Sequence, residues 1–315
     1  MPENKHLDLL EKIRGNIAGV IVGKREAIDR LLICLVCGGH ALIEDVPGLG
    51  KTSLVSALAS SVDCSFARIQ FTPDVLPSDV TGFTMYNINT GEKQFYPGAV
   101  MSQIILADEI NRTSPKTQSA LLQAMQERQV TVDGVTHSLP QPFMVCATQN
   151  PVELTGTYPL PEAQLDRFLM RISMGYPEKS EEVAILQRNR TANPVTGIKP
   201  VATAEDVLEL QKALGEIKCA VSVMNYIVEL AAFTRRHQDV SLGASPRASI
   251  ALMRASMGLA MLEGRDYVLP DDAQKMLRPV LAHRIALHSQ AYIQNQTHEG
   301  ILDSALRGTA VPGLA

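Results

Sequence analysis

The 315-residue sequence predicts an α/β domain built on a mainly parallel five-stranded sheet, followed by an all-helical domain. Up to about residue 175, short β-type runs alternate with helical patterns, which is the mark of a sheet covered by helices. Four of the five candidate strands are nearly continuous apolar runs, as expected of strands buried on both faces. After Pro177 the β-type runs stop and helical periodicity takes over.

Taken in order, residues 27–37 carry an amphipathic helical pattern ending at a glycine pair, and "ALIE" (41–44) is the first strand. A helix over 51–61 leads to the second strand, "FARIQF" (66–71). Residues 84–96 read as a hairpin around Asn89, Thr90 and Gly91, followed by the strand "IILA" (104–107) and a helix over 115–127. Asp133-Gly134 inside 129–139 is a strong two-residue hairpin signal. The strands "FMVCAT" (143–148) and "FLMRIS" (168–173) and a helix over 180–190 complete this part. Beyond the linker expected at 193–203, Thr203 and Asp206 form a capping-box start, and three further helical segments follow. The expected division is an α/β domain over 1–177 and a helical domain over 178–315.

Apolar residues make up 45% of the chain and charged residues 20%, an ordinary globular balance with ample material for a core. The net charge of −4 argues against a dedicated binder of phosphate backbones. The N-terminal segment is charged throughout, unlike a signal peptide, and no apolar run approaches the ~20 residues that span a bilayer. A soluble, cytoplasmic protein with no stable membrane insertion is expected. The five cysteines have no framework spacing, and Cys34-x-x-Cys37 lies within a helical pattern. Small buried hydrophobes are the expectation there, not a redox pair. His283 and His288 share no helical face, and no metal-ligand spacing completes a zinc site.

The stretch "ALIEDVPGLGKTSLVSALA" (41–59) places a loop between a buried strand and a helix. Such a loop binds phosphate through converging backbone N–H groups backed by a helix N-terminus. Gly48 and Gly50 supply the permissive backbone angles, Pro47 stiffens the approach, and Leu49 and Ser53 complete the segment. Lys51 is expected to reach the β- and γ-phosphates and Thr52 to offer its hydroxyl to Mg²⁺. Asp45 stands where the general pattern has a glycine, and its carboxylate must point away from bound phosphate. Downstream, "IILADEINR" is an apolar strand ending in Asp108 and Glu109, one fit to hold Mg²⁺ and the next to deprotonate an attacking water. "FMVCATQNP" is another buried strand ending in Gln149 and Asn150, and an amide there can place that water. Ligands of open α/β sheets bind at such strand ends.

With "VIVGKREAID", "LADEINRTSPKTQSALLQAMQE" and "ATQNPVELTGTYPLPEAQLDRF", these segments resemble the MoxR family of AAA+ ATPases. The resemblance implies a P-loop NTPase core with a helix-2 insert (84–96) and a pre-sensor-1 hairpin (129–139), capped by a helical lid. It implies that Lys51 and Thr52 are Walker A residues, Asp108 and Glu109 Walker B, and Asn150 sensor 1. Arg167 matches the arginine finger, Arg247 sensor 2, and Val22 and Gly23 the segment lining adenine. "EDVPGLGKT" is also how many members spell the loop. Independently, Ser245 and Pro246 suit an N-cap and first helical position, so Arg247 falls at a positive helix end, where a cation needs an anion nearby.

The resemblance further implies a hexameric, Mg-ATP-driven ring that remodels partner proteins, with von Willebrand factor A-domain proteins among the partners. A nucleic-acid motor is the first alternative, but "VTVDGVTHSL" has no Lys or Arg and "NINTGEKQ" only Lys93, which tells against DNA. A magnesium-chelatase-like subunit shares the same inserts. A non-hydrolysing scaffold is the weakest alternative, given the intact set of acids, amide and arginine.

Overall fold

The computed structural model describes residues 5–46, 48–87, 91–149, 156–188 and 197–313. Its first nine strands, in chain order, are β1 (Ala41–Glu44), β2 (Phe66–Gln70), β3 (Gly82–Tyr86), β4 (Lys93–Pro97), β5 (Ile104–Asp108), β6 (Gln129–Val132), β7 (Val135–Ser138), β8 (Met144–Gln149) and β9 (Met170–Ile172). Five of them form one parallel sheet in the order β2-β5-β8-β1-β9. These are the five expected strands, with ends moved by up to two residues. The last shrinks most, because residues 166–169 turn before pairing begins.

Side chains alternate between two buried cores, which is why the inner strands read as continuous apolar runs. Ala41, Ile43, Ile104, Leu106, Met144 and Cys146 face one core. Leu42, Ile105, Ala107, Val145 and Ala147 face the other. The helices before residue 190 are α1 (Lys5–Ala18), α2 (Arg25–Val36), α3 (Lys51–Ser61), α4 (Pro77–Thr81), α5 (Pro115–Glu127) and α6 (Glu162–Leu165), with α7 (Lys179–Arg188) just past the expected division at 177. α1 was not expected. Its charged sequence hides one apolar stripe, Leu10, Ile13 and Ile17, all fully buried in the first core.

Both inserted hairpins form as antiparallel pairs, β3 with β4 and β6 with β7. Asp133 (φ 50°) and Gly134 (φ 81°) turn between β6 and β7, both in the left-handed region that a two-residue hairpin requires. Of the other turn, Asn89 and Thr90 lie outside the described residues. The Phe95 ring stacks on His137 with centroids 3.9 Å apart, so one hairpin leans on the other.

The second part contains α8 (Ala204–Ala213), α9 (Val221–Arg236), α10 (Pro246–Leu262), α11 (Pro270–Leu281), α12 (Ser289–Ile293) and α13 (His298–Gly308). Thr203 and Asp206 make the expected capping box at α8. A short antiparallel pair, β10 (Val240–Leu242) with β11 (Ala286–Leu287), departs from the all-helical expectation. α10 packs closely on α2 through Gly258, where a Cβ would stand 2.9 Å from Ile33 and 3.1 Å from the Cys37 sulfur. Cys34 and Cys37 are buried there as small apolar side chains, and burial pushes the Cys37 thiol up to about 12. Among the described residues no cluster of His, Cys, Asp or Glu could hold a metal, and no helix is long and apolar enough to cross a membrane.

Candidate active site

At the carboxyl edge of the sheet, a cavity of about 400 Å³ is lined by Gly48, Gly50, Lys51, Thr52, Ser53, Arg68, Gln70, Asp108 and Glu109. Strand order explains the gathering: β1 delivers the loop, β5 the two acids and the edge strand β2 the remaining pair. Gly48 (φ 87°) and Gly50 (φ 86°) hold left-handed angles, and a Cβ at either would meet open space. The glycines therefore serve backbone shape, leaving their N–H groups free to approach a ligand. Gly50 is also the N-cap of α3, so the positive end of that helix stands behind the loop. The Lys51 ammonium donates to the Asp45 carbonyl at 2.7 Å, across the loop it would serve.

The Asp45 side chain turns away from the cavity, as electrostatics requires. Its carboxylate accepts hydrogen bonds from Ser173 Oγ (3.0 Å), from the Met174 N–H and from the Gly175 N–H (3.3 Å). Asp45 is 8% exposed and has no positive φ, so this position has no need of glycine. The loop's first residue is instead anchored to the chain leaving β9.

Asp108 is also nearly buried. Its Oδ1 accepts from Thr148 Oγ1 at 2.6 Å and its Oδ2 from Arg68 Nη2 at 2.7 Å. Glu109 adopts φ 57°, a left-handed conformation that costs a non-glycine residue of order 1–3 kcal/mol. The neighbours hold it there: its N–H donates to Thr148 Oγ1 (2.8 Å), and its carbonyl accepts from the Arg112 N–H (2.9 Å). The Glu109 carboxylate accepts from Gln70 Nε2 and Arg112 Nη1, both at 2.9 Å. Thus Arg68, Gln70, Arg112 and Thr148, none foreseen from sequence, orient the acid pair. Their one sequence signal was the alternation in "FARIQF", which puts Arg68 and Gln70 on the same face of β2.

Arg167 and Arg247 do not join this cavity. Both line a second one of about 290 Å³, together with Arg128, Asp166, Arg254 and Arg284. The topology separates the two. β9 runs parallel to β1 with Met170 opposite Ala41, and the Leu169 N–H donates to the His40 carbonyl at 2.7 Å. Arg167 therefore sits at the amino edge of the sheet, a strand's length from the loop that follows β1. Asp166 pairs with Arg284 (2.7 Å) and faces Arg247 (3.9 Å), while Arg167 Nη1 donates to the Leu122 carbonyl at 2.6 Å. Asp166 thus pairs with Arg284 and faces Arg247, and not its chain neighbour Arg167. Arg247 lies in the first turn of α10, whose N-cap Ser245 accepts from the Ala248 N–H as expected.

Gly23 (φ 65°) lies against α7, where a Cβ would stand 1.9 Å from a Glu181 oxygen. Lys24 donates to the Tyr176 carbonyl at 2.7 Å, so Val22 and Gly23 join the chain after β9 and do not line the loop cavity. Leu49 does not line it either. Pro47 and Asn150 lie outside the described residues.

Known proteins with this sequence pattern share the fold. Residues 40–170 match the ATPase family associated with various cellular activities (AAA), and residues 232–304 match the AAA lid domain. YeaC, an uncharacterized protein of Bacillus subtilis, is 51% identical over 96% of this chain and 95% of its own. The chaperone MoxR1 of Mycobacterium tuberculosis is 39% identical over 96% of this chain and 82% of its own. The solved structure of a Cytophaga hutchinsonii protein, described as a candidate ATPase, superposes with a TM-score of 0.91 at 40% identity, covering 98% of this chain and 96% of that one.

Proposed function

The chain belongs to the MoxR family of AAA+ ATPases, and from that premise we propose that it hydrolyses Mg-ATP between neighbouring copies in a hexameric ring, using the energy to remodel or mature a partner protein. The observation that carries this reading is the loop cavity, where two open glycine positions, one lysine and two oriented acids converge at the carboxyl edge of the sheet. The α/β unit (1–177) binds nucleotide and the helical unit (178–315) forms the lid.

The backbone N–H groups of residues 48–53 cradle the phosphates, and Lys51 exchanges the Asp45 carbonyl for phosphate oxygen. Thr52 and Asp108 are the residues that would hold Mg²⁺, which when bound neutralises charge on the β- and γ-phosphates. Glu109 orients the attacking water and takes its proton as the oxygen bonds to the γ-phosphorus and the bond to ADP breaks. Asn150 places that water, and Val22 and Gly23 flank the adenine, in keeping with the family pattern. Arg167 and Arg247 stand at the opposite edge of the sheet, so they serve a neighbour's nucleotide and not their own. Partners in the cytoplasm, such as a von Willebrand factor A-domain protein, fit the family; the chaperone name of the Mycobacterium relative agrees with it.

Calorimetry on two variants tests the site. Lys51→Ala should abolish ATP binding, whereas Glu109→Gln should bind ATP and lose turnover. Unchanged binding by Lys51→Ala would contradict the assignment.

A further inference from the structure

Arg284 follows α11 and is 3% exposed, yet its guanidinium has five N–H donors to satisfy. Each has an acceptor. Nε donates to Asp166 Oδ1 at 2.7 Å, Nη1 to the Leu169 carbonyl at 3.0 Å and to that of Val280. Nη2 donates to the Phe168 carbonyl at 2.6 Å and the Asp166 carbonyl at 3.3 Å. The adjacent His283 adds a hydrogen bond from Nε2 to the Phe168 carbonyl at 3.0 Å. Four of the five Arg284 acceptors belong to the turn 166–169, so both sides of Arg167 are gripped while its own side chain reaches the Leu122 carbonyl. On the far side of Asp166, Oδ2 faces Arg247 Nε at 3.9 Å. One carboxylate thus links a buried lid arginine, the turn bearing Arg167 and the first turn of α10.

Gluing the lid to the body would need no such arrangement, because the apolar core already joins α2 to α10. Saturating a guanidinium with the carbonyls that bracket the half-buried Arg167 fixes that arginine's origin and direction. We propose that Arg284, acting through Asp166, is a positioning residue for the reaction at the neighbouring subunit's nucleotide, holding Arg167 and Arg247 in one geometry that moves with the lid. The inference rests on the reading of Arg167 as a group supplied in trans. Catalysis is steep in such placement, and an error of about 1 Å costs roughly 10²-fold.

Mixing experiments distinguish positioning from a structural role. Arg284→Lys keeps the charge but offers donors from one nitrogen only, and Asp166→Asn keeps the shape and one carbonyl acceptor. Each full-length variant alone should bind a fluorescent ATP analogue as the wild type does and turn over slowly, by about 10²-fold for Arg284→Lys. Mixed with Glu109→Gln, whose finger is intact, each should regain activity. Mixed with Arg167→Ala, neither should, since both partners are then poor donors. If Arg284→Lys proves unable to fold, judged by its melting curve, Asp166→Asn carries the test. Recovery with Arg167→Ala would overturn the proposal, because the variant's finger would be working. Failure to recover with Glu109→Gln, despite wild-type nucleotide binding, would equally overturn it. The control mixture of Arg167→Ala with Glu109→Gln stands apart: no recovery there removes the trans reading itself, and this inference with it.

Discussion

Replacing Asp45 by glycine would restore the residue that the general phosphate-loop pattern calls for, and it should damage the protein. The Asp45 carboxylate takes three hydrogen bonds, two from backbone N–H groups of residues 174 and 175 that would be left unpaired. Hydrogen bonds to a charged group contribute about 1.5–3 kcal/mol each and do not add in full, which places the loss near 3–5 kcal/mol. Glycine's extra freedom in the unfolded chain adds roughly 0.5–1 kcal/mol. Nothing offsets this, since the backbone at 45 has no positive φ for glycine to relieve. For a chain of this length about 4 kcal/mol corresponds to a fall in melting temperature of roughly 6 °C. Urea denaturation without nucleotide reads the loss directly, and Asp45→Asn, which keeps one acceptor oxygen, should fall in between. An Asp45→Gly protein within about 0.5 kcal/mol of wild type would refute the claim that the anchor to residues 173–175 holds the loop.

Three further outcomes follow from the same geometry. His40 is buried with Nδ1 accepting from the Val145 N–H and Nε2 donating to the Met125 carbonyl, and burial lowers its pKa from 6.5 to about 4. The unfolded chain takes up this proton first, so stability should fall as pH drops from 6.5 towards 4, by about 3 kcal/mol at the lower end; denaturation of His40→Asn across that window should show a flatter slope, and an identical slope would exclude His40 as the cause. Arg68 occupies an oxygen of Asp108 that a metal would share, so Arg68→Ala should bind Mn²⁺-nucleotide some 2- to 5-fold more tightly by electron paramagnetic resonance, and weaker binding would speak against the competition. With no cation in β6 or β7, DNA binding should be no tighter than the ~10⁻⁶ M end of the non-specific range, and a tight, steeply salt-dependent gel shift would favour a nucleic-acid motor.

The α/β part was legible because its inner strands are buried on both faces and its helices carry local start signals. Ser114, Pro115 and Asp133-Gly134 state their geometry in adjacent residues, and α5 spans 115–127 as expected. α1 stayed hidden because a stripe of three apolar residues among charges needs a partner surface to become visible. At the site, the loop and the acid pair were contiguous motifs and therefore readable. Arg68, Gln70 and Thr148 act on Asp108 and Glu109 from other strands at separations of about 40 residues, and only strand order brings them there. Arg284 was invisible for the same reason, lying more than 100 residues from the turn it grips. The placement of Arg167 opposite the loop likewise required the β1–β9 register.

The most direct test of the central claim mixes two inactive proteins. A finger arginine contributes about 10³–10⁵ in rate, so Arg167→Ala should bind ATP and barely hydrolyse it. Glu109→Gln should fail through its own site while still presenting Arg167 to a neighbour. Phosphate release from the mixture should recover part of the wild-type rate, and the recovery should rise with protein concentration as rings assemble. Mixed rings confirmed by light scattering and yet no faster than either protein alone would contradict an active site completed between neighbours.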